Sequence, residues 1–103
     1  MTIIDEITIE RLRQIEEEGW TPKHDDTHDK GEIAKAAAAY ARHSAEFRDA
    51  ERLGGVYQIK AHPLDWPWGR EWWKPKNPRR DLIRAAALIV AEIERLDRTP
   101  IAD

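Results

Sequence analysis

Residues 62–78 hold four of the six prolines and four of the five tryptophans of this 103-residue chain. Because proline lacks a backbone N–H and breaks both helices and central strands, no single regular element can run through this segment. We therefore expect a long irregular segment here. Tryptophan supplies a large apolar surface with one hydrogen-bond donor, and we expect two of the four rings in the core and two at the surface.

Apolar spacing predicts three helices around this segment. The first covers about residues 5–18 and stops at Gly19, and the second covers about 30–52. The third begins at Pro78, with Asn77 as its N-cap. The second and third helices each carry apolar residues at the 4-3-4-3 spacing of a helix–helix seam. These seams are Ile33, Ala37, Tyr40, Ser44 and Phe47 in the second helix, and Leu82, Ala86, Ile89, Ile93 and Leu96 in the third.

The fold expected from these elements is a small all-α domain that spans residues 1–103. The second and third helices form a hairpin whose two seams face each other, with the first helix across it. Residues 56–61 have the composition of a short strand, which would need a strand to pair with. A chain of 12.0 kDa with an alanine-rich core buries little surface alone, so we also expect a homo-oligomer.

Charge and composition exclude several classes of protein. The net charge of −3 argues against general nucleic-acid binding, which usually needs a basic excess. The absence of cysteine excludes thiol catalysis and disulfides and fits a reducing compartment. The longest apolar run, residues 85–91, is too short to span a membrane. We therefore expect a cytoplasmic protein without membrane contact.

Cations and tryptophans lie together at the predicted start of the third helix. Lysines and arginines oppose the helix dipole there, and a bound anion at the free N–H groups would offset that cost. Tryptophan faces nearby could stack on a base. The alternative is a solvated surface with acidic partners. The predicted ligand-binding residues are Trp66, Trp68, Trp73, Lys74, Arg79 and Arg80, joined by His28 and Asp26 from the turn before the second helix.

Two patterns suggest a metal site, and each has a simpler explanation. His24 and His28, with the aspartates between them, could bind a divalent ion. Capping of the second helix by Asp25, Asp26 and Asp29 explains the same residues, and we expect capping. Glu94 and Asp97 match half of a carboxylate pair in all-α, MazG-type nucleotide pyrophosphatases, and Glu16, Glu17 and Glu18 could supply the other half. Such spacing is, however, common on charged helices. We expect neither a metal ion nor a cofactor.

Several short segments occur together over nearly the whole chain. They are ERxRQ at 10–14, EGWTP at 18–22, HDDxH at 24–28, GEIAxAA at 31–37, WPW at 66–68, WKP at 73–75, RDL at 80–82 and AEIxRLDR at 91–98. In this set the chain resembles a small family of accessory proteins that recurs in tailed-phage and prophage genomes. The resemblance implies a phage gene product that acts in the bacterial cytoplasm, outside the virion. Small phage proteins of this kind often inhibit host defence, and some sequester nucleotide signals.

Three functions remain open from the sequence. The first is a non-catalytic binder of a nucleotide-like anion, which fits the cations beside the tryptophans and the lack of an activated nucleophile. The second is a metal-dependent pyrophosphohydrolase, which needs at least three converging carboxylates. The third is a protein–protein inhibitor of a host defence enzyme, with tryptophans as binding hot spots.

Overall fold

The computed structural model describes residues 1–52 and 65–98, and the side chains of residues 47–52 are not part of the description. In these two ranges the protein is all-α, as predicted. Its helices are α1 (Ile3–Glu18), α2 (Pro22–Asp25), α3 (Glu32–Arg52) and α4 (Pro78–Arg98), and one 3-10 turn covers Arg70–Trp72. The proposed strand at residues 56–61 lies outside the described residues.

Local capping explains where α1 begins and ends. The Thr2 hydroxyl accepts a hydrogen bond from the Asp5 N–H, and the Asp5 carboxylate accepts one from the Thr2 N–H at 2.9 Å. This reciprocal pair is a capping box. At the other end Gly19 has φ 75°, a left-handed conformation that glycine adopts without steric cost. The predicted stop at Gly19 is confirmed.

The start of α4 also follows the prediction. Pro78 occupies the first helical position, and the Asn77 side-chain oxygen accepts a hydrogen bond from the Arg80 N–H at 2.8 Å. The short helix α2 was not predicted. Its first residue is Pro22, and Thr21 caps it by accepting a hydrogen bond from the His24 N–H.

The core lies between α3 and α4 and takes in two tryptophans of the irregular segment. α4 packs along α3 on one side and along α1 on another. The predicted seam of α3 is confirmed for Ile33, Ala37, Tyr40 and Ser44, which are all buried. The apolar core cluster consists of Ile33, Ala36, Ala37, Ala39, Tyr40, Trp66, Trp73, Ala85, Leu88 and Ala91.

The predicted seam of α4 is wrong. Leu82, Ile89, Ile93 and Leu96 are each about half exposed, and the residues that α4 buries are Ala85, Leu88 and Ala91, among others. The reason is that α4 has two apolar stripes at helical spacing. The stripe with the smaller side chains packs inward, because small residues let α3 approach closely and leave room for the tryptophan rings. The larger side chains remain outside.

No helix among the described residues is long and apolar enough to cross a membrane.

Candidate ligand-binding site

The tryptophans of the irregular segment divide between core and surface. Trp66 and Trp73 are buried, and Trp73 stacks on Tyr40 with ring centroids 4.8 Å apart. The Trp66 indole N–H donates to the Gly69 carbonyl at 3.1 Å. Trp72 is 37% exposed and Trp68 is partly buried. The faces of the two buried rings therefore pack against protein, whereas Trp68 and Trp72 remain beside solvent.

A cleft of about 340 Å³ opens beside Trp68 and Trp72. Trp20 forms its third aromatic wall, at 4.5 Å from Trp68 and 6.2 Å from Trp72 between ring centroids. The rings are inclined to one another by 79° and 60°, respectively, so they enclose a space rather than stack on each other. We call this space the tryptophan–histidine cleft. It is lined by Glu18, Gly19, Trp20, His24, His28, Trp68, Gly69 and Trp72.

Buried polar contacts hold the Trp20 side of the cleft. Arg11 on α1 donates to the Trp20 carbonyl at 3.1 Å and to the Asp25 carboxylate at 2.9 Å. Asp25 is fully buried, and this burial raises the pKa of its carboxyl although Arg11 opposes the shift. One arginine therefore ties α1, the turn at Trp20 and α2 together.

Tyr40 on α3 holds the other side of the cleft. Its hydroxyl donates to the Trp72 carbonyl at 3.4 Å and accepts from the Lys74 N–H at 3.1 Å. Burial raises the pKa of this hydroxyl. Both hydrogen bonds fix the chain just after the 3-10 turn, and so they set the position of Trp72.

Polar groups surround the aromatic walls. The Glu18 carboxylate faces the cleft and lies 4.0 Å from the Lys74 ammonium, which sits 5.3 Å from the Trp72 ring centroid. The Nε2 atoms of His24 and His28 are 3.3 Å apart, so one ring donates and the other accepts. The Trp68 indole N–H is buried and has no hydrogen-bond acceptor in the described part of the chain.

The predicted site residues do not come together in one place. Trp68, Lys74 and His28 lie in or beside the tryptophan–histidine cleft. Arg79 and Arg80 lie elsewhere, at a depression of about 430 Å³ that Met1, Ile9 and Ile83 also line.

Three charged residues of the predicted set, Arg79, Arg80 and Asp26, form ion pairs within the chain. Arg79 forms two hydrogen bonds with the partly buried carboxylate of Glu6, at 3.1 and 2.6 Å. Arg80 pairs with the buried carboxylate of Glu10. Asp26 accepts a hydrogen bond from Arg98 at 2.8 Å.

The expectation that the aspartates of residues 25–29 cap the second predicted helix is wrong for two of them. Asp25 pairs with Arg11 and Asp26 with Arg98, and α3 begins only at Glu32, whose carboxylate accepts a hydrogen bond from the Lys30 N–H at 2.6 Å. The extra helix α2 explains the difference, because it separates these aspartates from the start of α3.

Two of the carboxylates proposed for a metal-dependent enzyme pair with different arginines. Glu94 pairs with Arg11 at 3.3 Å, and Glu18 lies within 3.4 Å of Arg13. Among the described side chains, those of residues 1–46 and 65–98, no three histidine or acidic groups are placed so that they could hold a metal ion. The enzyme alternative therefore has no geometric support in this part of the chain.

The predicted ligand-binding set left out four residues of the cleft, Glu18, Trp20, His24 and Trp72. Gly19 carried a usable signal, because a helix that stops in a left-handed glycine turns the chain back toward its own last turn. Trp20 follows that glycine directly. The sequence could not show which of Trp72 and Trp73 is buried, since the two residues are adjacent in a segment without periodicity.

Comparison of the chain with models of protein families, with curated proteins and with solved structures finds no match.

Proposed function

We propose that this protein is a non-catalytic binding protein for a nucleotide-like ligand, and that the base of the ligand enters the tryptophan–histidine cleft. The observation that carries the proposal is the set of three inclined tryptophan rings around a space of about 340 Å³. Ligand pockets typically measure about 300–1,000 Å³ and are largely apolar, with a few polar groups. Stacking on an aromatic side chain stabilises a bound base by about 1–3 kcal/mol.

The polar groups of the cleft suit the two ends of such a ligand. The Glu18 carboxylate can accept a hydrogen bond from an exocyclic amino group of a base, as acidic side chains do with cytosine. Lys74 is half exposed next to Trp72 and can contact a phosphate. We therefore propose the cleft as the ligand site in place of the start of α4, because Glu6 and Glu10 already pair with the two arginines there.

The cellular setting is part of the same proposal. The resemblance to tailed-phage accessory proteins supports a role in the cytoplasm of an infected bacterium. A protein that holds a nucleotide without converting it lowers the free concentration of that nucleotide. We propose that the chain acts in this way on a nucleotide signal of host defence.

Equilibrium dialysis against a bacterial nucleotide extract, followed by mass spectrometry, tests this function. The wild-type protein should retain an intact nucleotide, and the Trp72→Ala variant should retain much less. Recovery of a hydrolysed product would instead support the pyrophosphohydrolase alternative. Retention of no nucleotide by the wild-type protein would overturn the proposal and leave inhibition of a host protein as the better explanation.

A further inference from the structure

The outer face of α4 carries large apolar side chains that contact no other helix closely enough to be buried. Between 38% and 53% of each of these residues is exposed. Soluble monomers rarely expose contiguous apolar patches of more than a few hundred Å², and larger ones mark interaction sites. The exposed residues are Leu82, Ile89, Val90, Ile93 and Leu96.

The same face continues into a groove between α1 and α4. This groove has a volume of about 600 Å³, and its walls are mostly apolar, with Thr8, Arg11 and Glu94 as the polar members. α1 contributes Ile4, Ile7, Leu12 and Ile15, and α4 contributes Ala86, Ile89 and Val90. The groove and the exposed stripe therefore form one continuous surface, which we call the α4 outer face.

The spacing of the exposed stripe indicates what it binds. Leu82, Ala86, Ile89, Ile93 and Leu96 follow a strict 4-3-4-3 repeat, which allows side chains of one helix to insert between those of another. The contact between α3 and α4 does not use this repeat, since it buries Ala85, Leu88 and Ala91. The α4 outer face thus has the pattern of a helix-pairing seam and lacks a helix of its own chain to pair with among the described residues.

Helix dipoles and area favour a second copy of this chain as the partner. Residues 82–96 form a stripe about 21 Å long. If two copies of α4 cross antiparallel about Ile89, the N-terminus of each helix lies near the C-terminus of the other, where the two helix dipoles attract. A parallel arrangement would bring the like ends of the two dipoles together. The α4 outer face exposes seven large apolar side chains by 38–71%, five on α4 together with Ile4 and Leu12 of α1. They offer on the order of 600 Å², against the ~800 Å² per partner of a standard interface.

We propose that two copies of this protein form an antiparallel homodimer through the α4 outer face. This dimer does not depend on the ligand, because the tryptophan–histidine cleft and the α4 outer face share no lining residue.

Sedimentation velocity at micromolar concentration tests the dimer, with matched variants on two faces. The wild-type protein should sediment as a dimer, and Ile89→Asp should sediment as a folded monomer. Ile9→Asp is the control, because Ile9 has the same 50% exposure but does not line the groove. It should remain a dimer. A monomeric wild-type protein, or a dimer that Ile9→Asp dissociates and Ile89→Asp does not, would overturn the proposal.

Ile93→Asp keeps the proposal testable if Ile89→Asp fails to fold, because Ile93 belongs to the same stripe and is 53% exposed. This variant should also sediment as a folded monomer. If it remains a dimer as stable as that of the wild-type protein, the α4 outer face is not the interface.

Discussion

Glu10 is the side chain whose replacement should damage this fold most specifically. It is 1% exposed, although it carries a charge. Arg13 donates two hydrogen bonds of 2.8 Å to its carboxylate, Gln14 donates one at 3.2 Å, and Arg80 of α4 forms an ion pair with it. Glu10 thus joins α1 to α4. We predict that Glu10→Gln lowers the free energy of unfolding by about 2–4 kcal/mol.

The expected loss of unfolding free energy follows from how deeply the side chains of Glu10, Arg13 and Arg80 are buried. Removing one partner of a buried ion pair typically costs about 3–5 kcal/mol. The side chains of Arg13 and Arg80 are 27% and 31% exposed, so water can solvate part of the charge that Glu10→Gln leaves behind. This solvation brings the expected cost below the upper end of that range. For a domain of 60–100 residues, each kcal/mol lowers Tm by about 4–8 °C.

Thermal denaturation followed by circular dichroism measures this loss, and Glu17→Gln is the matched control. Glu17 pairs with the same Arg13, at 3.3 Å, but its side chain is 67% exposed. Exposed ion pairs contribute about 0–1 kcal/mol, so Glu17→Gln should change Tm by only a few degrees. Equal losses in Tm for the two variants would refute the reasoning that burial makes the Glu10 pair important.

The same carboxylate should make stability depend on pH. Burial by itself raises the pKa of Glu10, but the hydrogen bonds and charges of Arg13 and Arg80 outweigh it and hold the pKa below its usual value. Stability from such a group is present above the pKa of glutamate in the unfolded chain. It is lost as pH falls through the lowered pKa of the folded state. The difference in stability between wild-type protein and Glu10→Gln should therefore shrink below about pH 4.

Three further substitutions test the core, the Arg11–Asp25 ion pair and the anchoring of the irregular segment one at a time. Leu88→Ala should cost about 2–5 kcal/mol in chemical denaturation, because Leu88 is 1% exposed; a loss under 1 kcal/mol would contradict the core described above. Asp25→Asn should cost about 1–3 kcal/mol by removing the buried carboxylate charge that pairs with Arg11, and an unchanged Tm would speak against that pair. Tyr40→Phe should cost about 1 kcal/mol and speed amide hydrogen exchange at Lys74, whose N–H loses its acceptor; unchanged exchange would show that the contact is absent in solution.

Helix positions were predictable here because their signals are local. Asn77 and Pro78 mark the start of α4 through their own side chains, and Gly19 marks the end of α1 through its backbone conformation. The inward face of α4 was not predictable. Ile89 belongs to the stripe with the larger apolar residues and Leu88 to the stripe that is buried, and only the docking of α3 decides between them.

The candidate site was predictable only in part, for a related reason. Tryptophans and cations were expected to act together because they are adjacent in sequence. In the folded chain Arg80 turns toward Glu10 of α1, while Trp20 comes from the end of α1 to complete the cleft. Both contacts join residues that are more than 45 positions apart, and no periodicity or capping rule reports such a contact.

Isothermal titration calorimetry with the nucleotide recovered by dialysis tests the central claim most directly. Trp72→Ala and Arg79→Ala should be compared with the wild-type protein, because each change removes an exposed side chain from one of the two candidate sites. The account predicts that Trp72→Ala raises Kd by roughly 5- to 150-fold, the equivalent of about 1–3 kcal/mol of lost stacking, and that Arg79→Ala leaves Kd unchanged. A Kd that rises for Arg79→Ala and not for Trp72→Ala would place the ligand at the start of α4 and contradict the tryptophan–histidine cleft.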